Sequence, residues 1–292
     1  MKTFLIYSKS YNSSFVTEIG EMLNSLSELP ITILIETEFY SNLTNFITIP
    51  KSVTPFKSGD DLKHVDYLVS LGGDGTFLAT ARLGLSSAIP ILPVNIGRLG
   101  FLARLTISEV LSAVENILKG KFLLEDRIGL TVASKPQLFE VGNFGLNDFT
   151  IHKNDSSSMI IIHTYVDDEY LASYWADGLI ISTPTGSTAY SLSCGGPIIA
   201  PGSNNLVITP IAPHNLNIRP FVIPDSSIIK LKVEGRNNEF LATLDSKTES
   251  IHTEYELKIS KHLQTTRIIR FDDDSFLTTL RQKLHWGLDK RN

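Results

Sequence analysis

An aspartate surrounded by glycines is the first place in the chain where residue types and spacing favour chemistry. The stretch Leu71–Thr76, with the sequence LGGDGT, separates an apolar run (Tyr67–Leu71) from a helix-like pattern (Phe77–Leu85). Glycines let the backbone approach a ligand without Cβ clashes, and the N–H groups at a helix start favour phosphate. A carboxylate repels phosphate, so Asp74 predicts a base for a hydroxyl group or a metal contact. The alternative is that Asp74 only shapes the turn.

A dense set of glycine and hydroxyl residues lies between Trp175 and Pro197. A strand-like run, Leu179–Ile181, leads into it, and its hydroxyl and backbone N–H groups suit ribose and phosphate oxygens. Asp177 can accept a hydrogen bond from a ribose hydroxyl or an exocyclic amine, and Tyr190 offers a ring for stacking on a base. The alternative is a long loop whose serines and threonines hydrogen-bond their own backbone.

Two weaker patterns accompany these stretches. Asn147 and Asp148 stand at the head of a β-like run, where an amide and a carboxylate together can hold adenine or ribose edges, although such a dipeptide is also typical of a plain turn. The segment Asn95–Leu102 resembles half of a dinucleotide fingerprint, although Gly97 and Gly100 are equally expected in tight turns.

Composition excludes several classes of protein. The chain has 292 residues, 42% of them apolar and 20% charged, which predicts a globular protein of one large or two ordinary domains. Its net charge of -5 argues against a broad nucleic-acid-binding face. The single cysteine, Cys194, allows no disulfide framework or cysteine zinc site within the chain. The apolar run Met1–Tyr7 is too short for a signal peptide, and no stretch reaches the ~20 apolar residues that span a bilayer. We therefore expect a cytoplasmic protein without membrane contact.

Strands alternate with helices in the first part of the chain, which predicts a mostly parallel sheet with helices on both faces. Ligands of such sheets lie at the carboxyl ends of the strands, so both glycine turns are expected at one cleft. The segment Glu36–Leu62 gives weak signals and is expected to be mobile or insertion-like. The predicted strands are Thr3–Tyr7, Ile31–Ile35, Tyr67–Leu71 and Ile89–Val94, and the predicted helices are Phe15–Leu29, Gly75–Leu85 and Glu109–Leu118.

Short β-rich runs separated by turn residues follow, which predicts an all-β C-terminal domain. Asp167–Asp168 is expected to form a hairpin turn between two of the runs. A last helix, Ser275–His285, is expected to return to the first domain. The predicted domains are 1–103 (α/β), 104–267 (mainly β) and 268–292 (returning segment). The predicted strands of the second domain are Arg127–Ala133, Met159–Val166, Tyr170–Trp175, Leu179–Ser182, Leu206–Ile211, Ile228–Val233 and Phe240–Leu244.

Together these stretches resemble the NAD kinase family, from Gly72 to about Ala212. The glycine–aspartate turn alone also resembles diacylglycerol kinases, sphingosine kinases and phosphofructokinases. The match of Asn95–Leu102, Leu146–Phe149 and Asp177–Pro197, in this order, is specific to NAD kinases. The resemblance implies phosphorylation of the adenosine 2′-hydroxyl of NAD by ATP, giving NADP and ADP, with a divalent cation such as Mg²⁺ on the ATP phosphates. It also implies a homodimer or homotetramer with sites completed across subunits.

The resemblance carries roles onto individual residues. Asp74 would be the catalytic base that accepts the proton of the 2′-hydroxyl, and no residue is assigned to the metal. The ATP phosphates would meet Gly72, Gly73, Gly75 and Thr76. NAD would meet Asp74, Gly75, Phe101, Asn147, Asp148, Asp177, Thr188, Ala189, Tyr190, Ser191, Leu192, Ser193 and Ala212.

Two departures and two rival functions stay open. Many relatives have a basic residue where Trp175 stands, and many bacterial relatives have an amide where Lys247 stands. A lipid or sugar kinase would share only the glycine–aspartate turn and would leave Asp177–Pro197 unexplained. A non-catalytic dinucleotide sensor would not need a base at Asp74. A dehydrogenase is disfavoured, because no complete glycine fingerprint follows the first strand.

Overall fold

The protein is described from a computed structural model, for residues 1–9, 13–57, 59–97, 99–154, 158–236, 238–272 and 275–287. The chain divides into two compact units, residues 1–126 with 266–292, and residues 127–265. Within these ranges, no helix has the length and apolar character needed to cross a membrane.

Within the described residues the structure has eighteen strands and six α-helices, besides short 3-10 helices. The helices are α1 (Val16–Ser27), α2 (Thr37–Thr44), α3 (Asp74–Gly84), α4 (Val110–Leu118), α5 (Tyr190–Ser193) and α6 (Phe276–Leu284). The strands are β1 (Lys2–Tyr7), β2 (Ile31–Glu36), β3 (Val53–Phe56), β4 (Tyr67–Leu71), β5 (Ile91–Val94), β6 (Leu123–Arg127), β7 (Leu130–Lys135), β8 (Asp148–Lys153), β9 (Ile160–Val166), β10 (Glu169–Ala176), β11 (Gly178–Ser182), β12 (Asn205–Ile211), β13 (Phe221–Pro224), β14 (Ile229–Glu234), β15 (Glu239–Leu244), β16 (Lys247–His252), β17 (Glu256–Lys261) and β18 (Thr266–Arg270).

The first unit is built on a seven-stranded sheet in the order β3-β2-β1-β4-β5-β18-β6. The pairs from β3 to β18 are parallel. From β1 the chain continues to β2 on one side and reaches β4 on the other, so the strand order reverses between β1 and β4. Ligands of open α/β sheets bind outside the carboxyl ends of the strands at such a reversal. Asp74 follows the end of β4 by three residues, at the start of α3, and so lies at this point of the sheet.

The expectation of an insertion-like segment at Glu36–Leu62 is wrong. The segment contains α2 and β3, and β3 pairs in parallel with β2. Only Phe39 and Leu43 of α2 are buried, so its apolar pattern is too short to stand out. Pro55 within β3 also obscured the strand, although proline is tolerated there because β3 is at the edge of the sheet.

The second unit contains two antiparallel sheets, in the orders β10-β9-β14-β17-β7 and β13-β12-β11-β8-β15-β16. Buried side chains from both sheets form one apolar core, with Phe149, Ile162 and Leu231 among them. The turn Asp167–Asp168 joins β9 to β10 with positive φ at both residues, which confirms the predicted hairpin. The β-like run headed by Asn147 and Asp148 is the central strand β8, whose bounds were not predicted because its sequence DFTIHK mixes polar and apolar residues.

The C-terminal segment returns to the first unit. Strand β18 pairs in parallel with β5, and α6 belongs to the same unit. The fold class predicted from the sequence is thereby confirmed: an α/β domain with a mostly parallel sheet, an all-β domain and a returning C-terminal segment. Residues 104–126 pack with the first unit, whereas the predicted bounds begin the second domain at residue 104.

Candidate active site

The glycine–aspartate turn joins the end of β4 to the start of α3. Gly72 donates its N–H to the carbonyl of Val94, 2.9 Å away, which ties the turn to the end of β5. A Cβ atom at Gly72 would stand 2.4 Å from Oγ1 of Thr76, so only glycine fits there. Gly73 is the N-terminal flanking residue of α3, and Asp74 lies in the first turn of the helix. The N–H groups of this turn form the anion-favouring end of the helix.

The carboxylate of Asp74 is held by the second glycine turn. The N–H of Phe101 donates to Oδ2 at 3.0 Å, and the N–H of Leu102 donates to Oδ1 at 3.1 Å. A Cβ atom at Gly100 would stand 2.1 Å from Oδ1, so glycine is needed for this close approach. Each carboxylate oxygen keeps a further acceptor site, and Asp74 can therefore receive a proton while the backbone fixes its orientation.

The segment Asn95–Leu102 thus supports an aspartate and meets the first glycine turn, as expected from their shared sheet edge. Gly97 has φ +99°, a conformation that favours glycine. Phe101 is buried; its backbone N–H donates to Asp74, and its ring centroid lies 5.1 Å from Nζ of Lys283. Arg98, in the middle of this segment, lies outside the described residues.

In the second unit, Asp245 organises the predicted Asn147–Asp148 pair. Its Oδ1 accepts from the N–H groups of Asn147 (2.8 Å) and Asp148 (3.2 Å), and its Oδ2 accepts from that of Leu146 (2.8 Å). Asp245 has φ +54°, a left-handed conformation that aspartate tolerates better than most residues. Gly186 lies so close that a Cβ there would stand 2.0 Å from the carbonyl oxygen of Asn147. The Asn147–Asp148 backbone is therefore fixed on two sides.

Asp148 is a buried carboxyl group beside a second carboxylate. Its side chain is 7% exposed, and the described partner is the hydroxyl of Thr150, which donates to Oδ1 at 3.2 Å. Burial, and then the negative charge of Asp245, raise the pKa of Asp148 to about 7, while the Thr150 hydrogen bond acts in the opposite direction. Near neutral pH, Asp148 therefore exists in both forms and can donate or accept a hydrogen bond.

The loop after β11 divides into a buried face and an exposed face. Thr183 donates to the carbonyl of Leu146 at 2.6 Å, and Ser187 donates to that of Pro184 at 2.7 Å. Ser191 is also fully buried, with its hydroxyl 2.8 Å from that of Thr209. These hydroxyls satisfy the protein itself, as the structural alternative expected. Among the predicted NAD contacts in this loop, the exposed or half-buried ones are Thr188, Ala189, Tyr190, Leu192 and Ser193.

Tyr190 is the exposed aromatic side chain of this loop, with 42% of its surface accessible. Burial of its hydroxyl, followed by a hydrogen bond with Cys194 and the charges of Asp148 and Asp177, raises the pKa of Tyr190. Burial also raises the pKa of the Cys194 thiol. The exposed ring of Tyr190 is available for stacking.

Asp177 lies between β10 and β11, next to the end of β12. Its Oδ1 is 2.6 Å from Nζ of Lys153, and both side chains are largely shielded from solvent. Its N–H donates to the carbonyl of Ile211, which precedes Ala212 in the chain. Ala212 is exposed and has φ +45°. The structure thus brings Asp177 and Ala212 together, and it adds a cation that sequence reasoning missed.

Three residues near the predicted ones escaped sequence reasoning. Thr150 and Lys153 belong to β8, which lacks a clear β pattern, so neither could be placed beside Asp148 or Asp177. Asp245 lies 97 residues from Asp148 in the chain, and its only sequence signal was its place before Lys247. Lys247 itself donates to the carbonyl of Val141 at 2.6 Å. Trp175 on β10 is about half exposed.

Across the described ranges, no group of three or more His, Cys, Asp or Glu side chains forms a metal site. Magnesium keeps several water ligands and often needs only one or two carboxylates besides substrate phosphates.

Comparisons with known proteins agree with this geometry. Residues 17–122 match the model of the ATP-NAD kinase N-terminal domain, and residues 146–271 match that of the ATP-NAD kinase C-terminal domain. Proteins named NAD kinase from Flavobacterium psychrophilum and Cytophaga hutchinsonii are 46% and 41% identical over 290 residues, covering at least 98% of this chain and 99% of each relative.

Two solved structures share the fold. Yeast NADH kinase, solved with NADH, superposes with a TM-score of 0.88 at 22% identity, covering 99% of this chain and 89% of that one. An NAD kinase from Archaeoglobus fulgidus, solved with ATP, gives a TM-score of 0.72 at 22% identity, covering 98% and 99%. The full-length sequence matches and the two domain models lead to one conclusion: the chain belongs to the ATP-NAD kinase family.

Proposed function

We propose that the protein transfers the γ-phosphoryl group of ATP to the adenosine 2′-hydroxyl of NAD, giving NADP and ADP. The observation that carries this proposal is the Asp74 carboxylate, which two backbone N–H groups orient at the start of α3. Family membership supports the same reaction, and it makes the chain a phosphotransferase that uses ATP and NAD.

In this reaction Asp74 acts as the general base. A ribose hydroxyl is a poor nucleophile near neutral pH, and a carboxylate within hydrogen-bond reach can take its proton as the phosphoryl group arrives. General base catalysis contributes about 10²–10⁴-fold. The remaining acceleration comes mainly from positioning and from charge stabilisation of the transferred group. The carboxylate oxygens of Asp74 retain acceptor capacity beyond the Phe101 and Leu102 N–H groups, which supports this role.

The start of α3 is the proposed contact for the ATP phosphates. Gly72, Gly73, Gly75 and Thr76 surround Asp74, and a helix N-terminus favours negative charge. A divalent cation, such as Mg²⁺, would be held chiefly by the phosphates, and it would offset their charge near Asp74. This charge matters because the carboxylate of Asp74 otherwise repels the approaching phosphates.

The second unit supplies the proposed NAD contacts. Asn147 offers its side-chain amide, Asp148 a carboxyl group near its pKa, and Tyr190 an exposed ring. Asp177 is proposed to meet a hydroxyl or amine of NAD while Lys153 balances its charge. The remaining proposed contacts of the second unit are Thr188, Ala189, Ser191, Leu192, Ser193 and Ala212, and those of the first unit are Asp74, Gly75 and Phe101. Ser191 is proposed to act through its backbone and packing, because its hydroxyl is engaged with Thr209.

We also propose that the enzyme works in the cytoplasm as a homodimer or homotetramer. The support is the family resemblance, in which neighbouring subunits complete the sites. Sedimentation of the purified protein at micromolar concentrations tests the assembly, and a monomer at every concentration would contradict the proposed homodimer or homotetramer.

The function is tested by incubating the purified protein with NAD, ATP and Mg²⁺ and detecting NADP with an NADP-specific dehydrogenase. The matched control substrate is NAD that lacks the adenosine 2′-hydroxyl, which should give no phosphorylated product. ATP consumption with non-nucleotide alcohols, and none with NAD, would instead indicate the lipid or sugar kinase. Tight binding of NAD or NADP without turnover would indicate the sensor.

A further inference from the structure

We propose that the returning C-terminal segment positions Asp74 through two cations, Lys283 of α6 and Arg270 of β18. Both donate to carbonyl groups of the segment Leu99–Leu102, whose N–H groups hold the Asp74 carboxylate. We call Leu99–Leu102 the aspartate-holding segment. The inference rests on the proposed role of Asp74 and adds positioning residues that do not touch the substrates.

Lys283 holds the first residue of the aspartate-holding segment. Its Nζ donates to the carbonyl of Leu99 at 2.8 Å. The same ammonium lies 5.1 Å from the ring centroid of Phe101, within the range of a cation–π interaction. Lys283 therefore contacts the segment at two points, one of them on the residue whose N–H reaches Oδ2 of Asp74.

Arg270 holds the last residue of the same segment. Its Nη1 donates to the carbonyl of Leu102 at 3.3 Å, and its Nε lies 2.7 Å from Oε2 of Glu125. Arg270 is buried, so a charge-assisted hydrogen bond to this guanidinium is expected to be stronger than one at the surface. The N–H of Leu102 in turn donates to Oδ1 of Asp74.

The segment is therefore fixed at both ends while its last two N–H groups face the carboxylate. Its tolerance for movement is small, because Gly100 already lies where a Cβ would overlap Oδ1 of Asp74. A shift of the segment would rotate or displace the carboxylate, and a displacement of about 1 Å can reduce a rate by about 10²-fold. The C-terminal segment thereby acts on catalysis from a sequence distance of 184 residues between Lys283 and Leu99.

Lys283 is the better residue for a test, because it is exposed and Arg270 is part of the core. We expect Lys283→Met to lower kcat about tenfold with KM for NAD and ATP changed less than about twofold. Lys283→Arg should restore most of kcat, since it keeps the cation. The matched control is Arg281→Met on the same helix, whose described contact is a 3.4 Å hydrogen bond to Thr278 and which should leave kcat unchanged.

A double-mutant cycle separates positioning from general stabilisation. If Lys283 acts through Asp74, Lys283→Met should reduce kcat much less in the Asp74→Asn background than in the parent. An equal fractional loss in both backgrounds would overturn the proposal, and so would an unchanged kcat in Lys283→Met.

Amide hydrogen exchange gives a readout that does not depend on turnover. The amides of Phe101 and Leu102 should exchange about tenfold faster in Lys283→Met than in the parent, and at the parent rate in Lys283→Arg and Arg281→Met. Unchanged exchange in Lys283→Met would overturn the proposed positioning, whatever the activity. If the parent makes no NADP but exchange is still faster in Lys283→Met than in the parent, the Lys283 contact is supported and the proposed reaction is rejected.

Discussion

Gly100 lies against the carboxyl group of Asp74 so closely that a Cβ atom at Gly100 would stand 2.1 Å from Oδ1. The two residues are far from consecutive, yet the N–H groups after Gly100 are those that orient the carboxylate. A glycine that a sequence pattern assigns to a tight turn is thus a requirement of the proposed base.

This relationship predicts the effect of one methyl group. Gly100→Ala must push Asp74 away from the Phe101 and Leu102 N–H groups, so we expect kcat to fall by about 10²-fold. Gly20→Ala in α1 is the control, because its Cβ would make an ordinary 3.5 Å contact with Ile47 and should leave kcat unchanged. Steady-state kinetics of both variants check the prediction. Similar kcat values for the two would contradict the close approach.

Asp148 should make the stability of the ligand-free protein fall as pH rises. An aspartate in the unfolded chain has a pKa of about 4, whereas the pKa of Asp148 in the folded protein is about 7. Between these values the unfolded state binds fewer protons, so deprotonation favours unfolding. Asp148→Asn mimics the protonated form. The variant's advantage in unfolding free energy should grow from pH 4 to 7 and level off on the order of 4 kcal/mol.

Urea unfolding at pH 5, 6, 7 and 8, in parent and Asp148→Asn, measures this advantage. Because groups that do not interact with Asp148 titrate equally in both proteins, their contributions cancel in the difference. A difference that stays constant with pH would show that Asp148 does not titrate in this range.

Asp245 should matter for both backbone and charge. Asp245→Asn can keep the left-handed conformation, but its amide offers one acceptor oxygen where the carboxylate receives three N–H groups. We expect a loss of unfolding free energy on the order of 3 kcal/mol. Removing the negative charge should also lower the pKa of Asp148, so the stability of this variant should depend less on pH. The same urea series checks both expectations. A pH dependence like that of the parent would show that the charge of Asp245 does not influence the pKa of Asp148.

Lys153 should tune the affinity for NAD without taking part in proton transfer. Lys153→Met leaves the partly buried Asp177 without its 2.6 Å ion pair, so we expect KM for NAD to rise about tenfold while kcat and KM for ATP change little. Lys232→Met is the control, since Lys232 forms an exposed 3.9 Å pair with Glu256. Steady-state kinetics with each substrate varied in turn measure the split. An equal change in both KM values would argue against an NAD contact at Asp177.

Local signals predicted much of the fold. The apolar run Tyr67–Leu71, the glycines after it and the amphipathic pattern of α1 are each readable within a dozen residues. The hairpin at Asp167–Asp168 was equally clear, because aspartate tolerates positive φ. The edge strand β3 was missed because it contains Pro55, and strands β6, β13, β16, β17 and β18 were not predicted either. The bounds of β8 were not readable because it mixes polar with apolar residues.

Contacts within the candidate site were less predictable. The sequence indicated Asp74 and the loop that carries Tyr190. The hydrogen bonds from Phe101 and Leu102 to Asp74 were not predictable, because they join residues 27 and 28 positions apart. Asp245 accepts a hydrogen bond from Leu146, 99 residues away in the chain, and the residues next to Asp245 give no sequence signal for this contact. The many Ser and Thr residues in this loop also led us to expect too many hydroxyls facing a ligand, because Ser191 and its buried neighbours form hydrogen bonds with other protein groups.

The most direct measurement of the central claim is NADP formation by the parent and by Asp74→Asn, with NAD, ATP and Mg²⁺ at saturation. The variant keeps the size of the side chain, but its amide nitrogen cannot accept one of the two backbone N–H groups, so we expect a folded protein with about 1 kcal/mol less unfolding free energy. Loss of the base predicts a kcat lower by about 10²–10⁴-fold. A folded variant that forms NADP at nearly the parent rate would contradict the proposed role of Asp74.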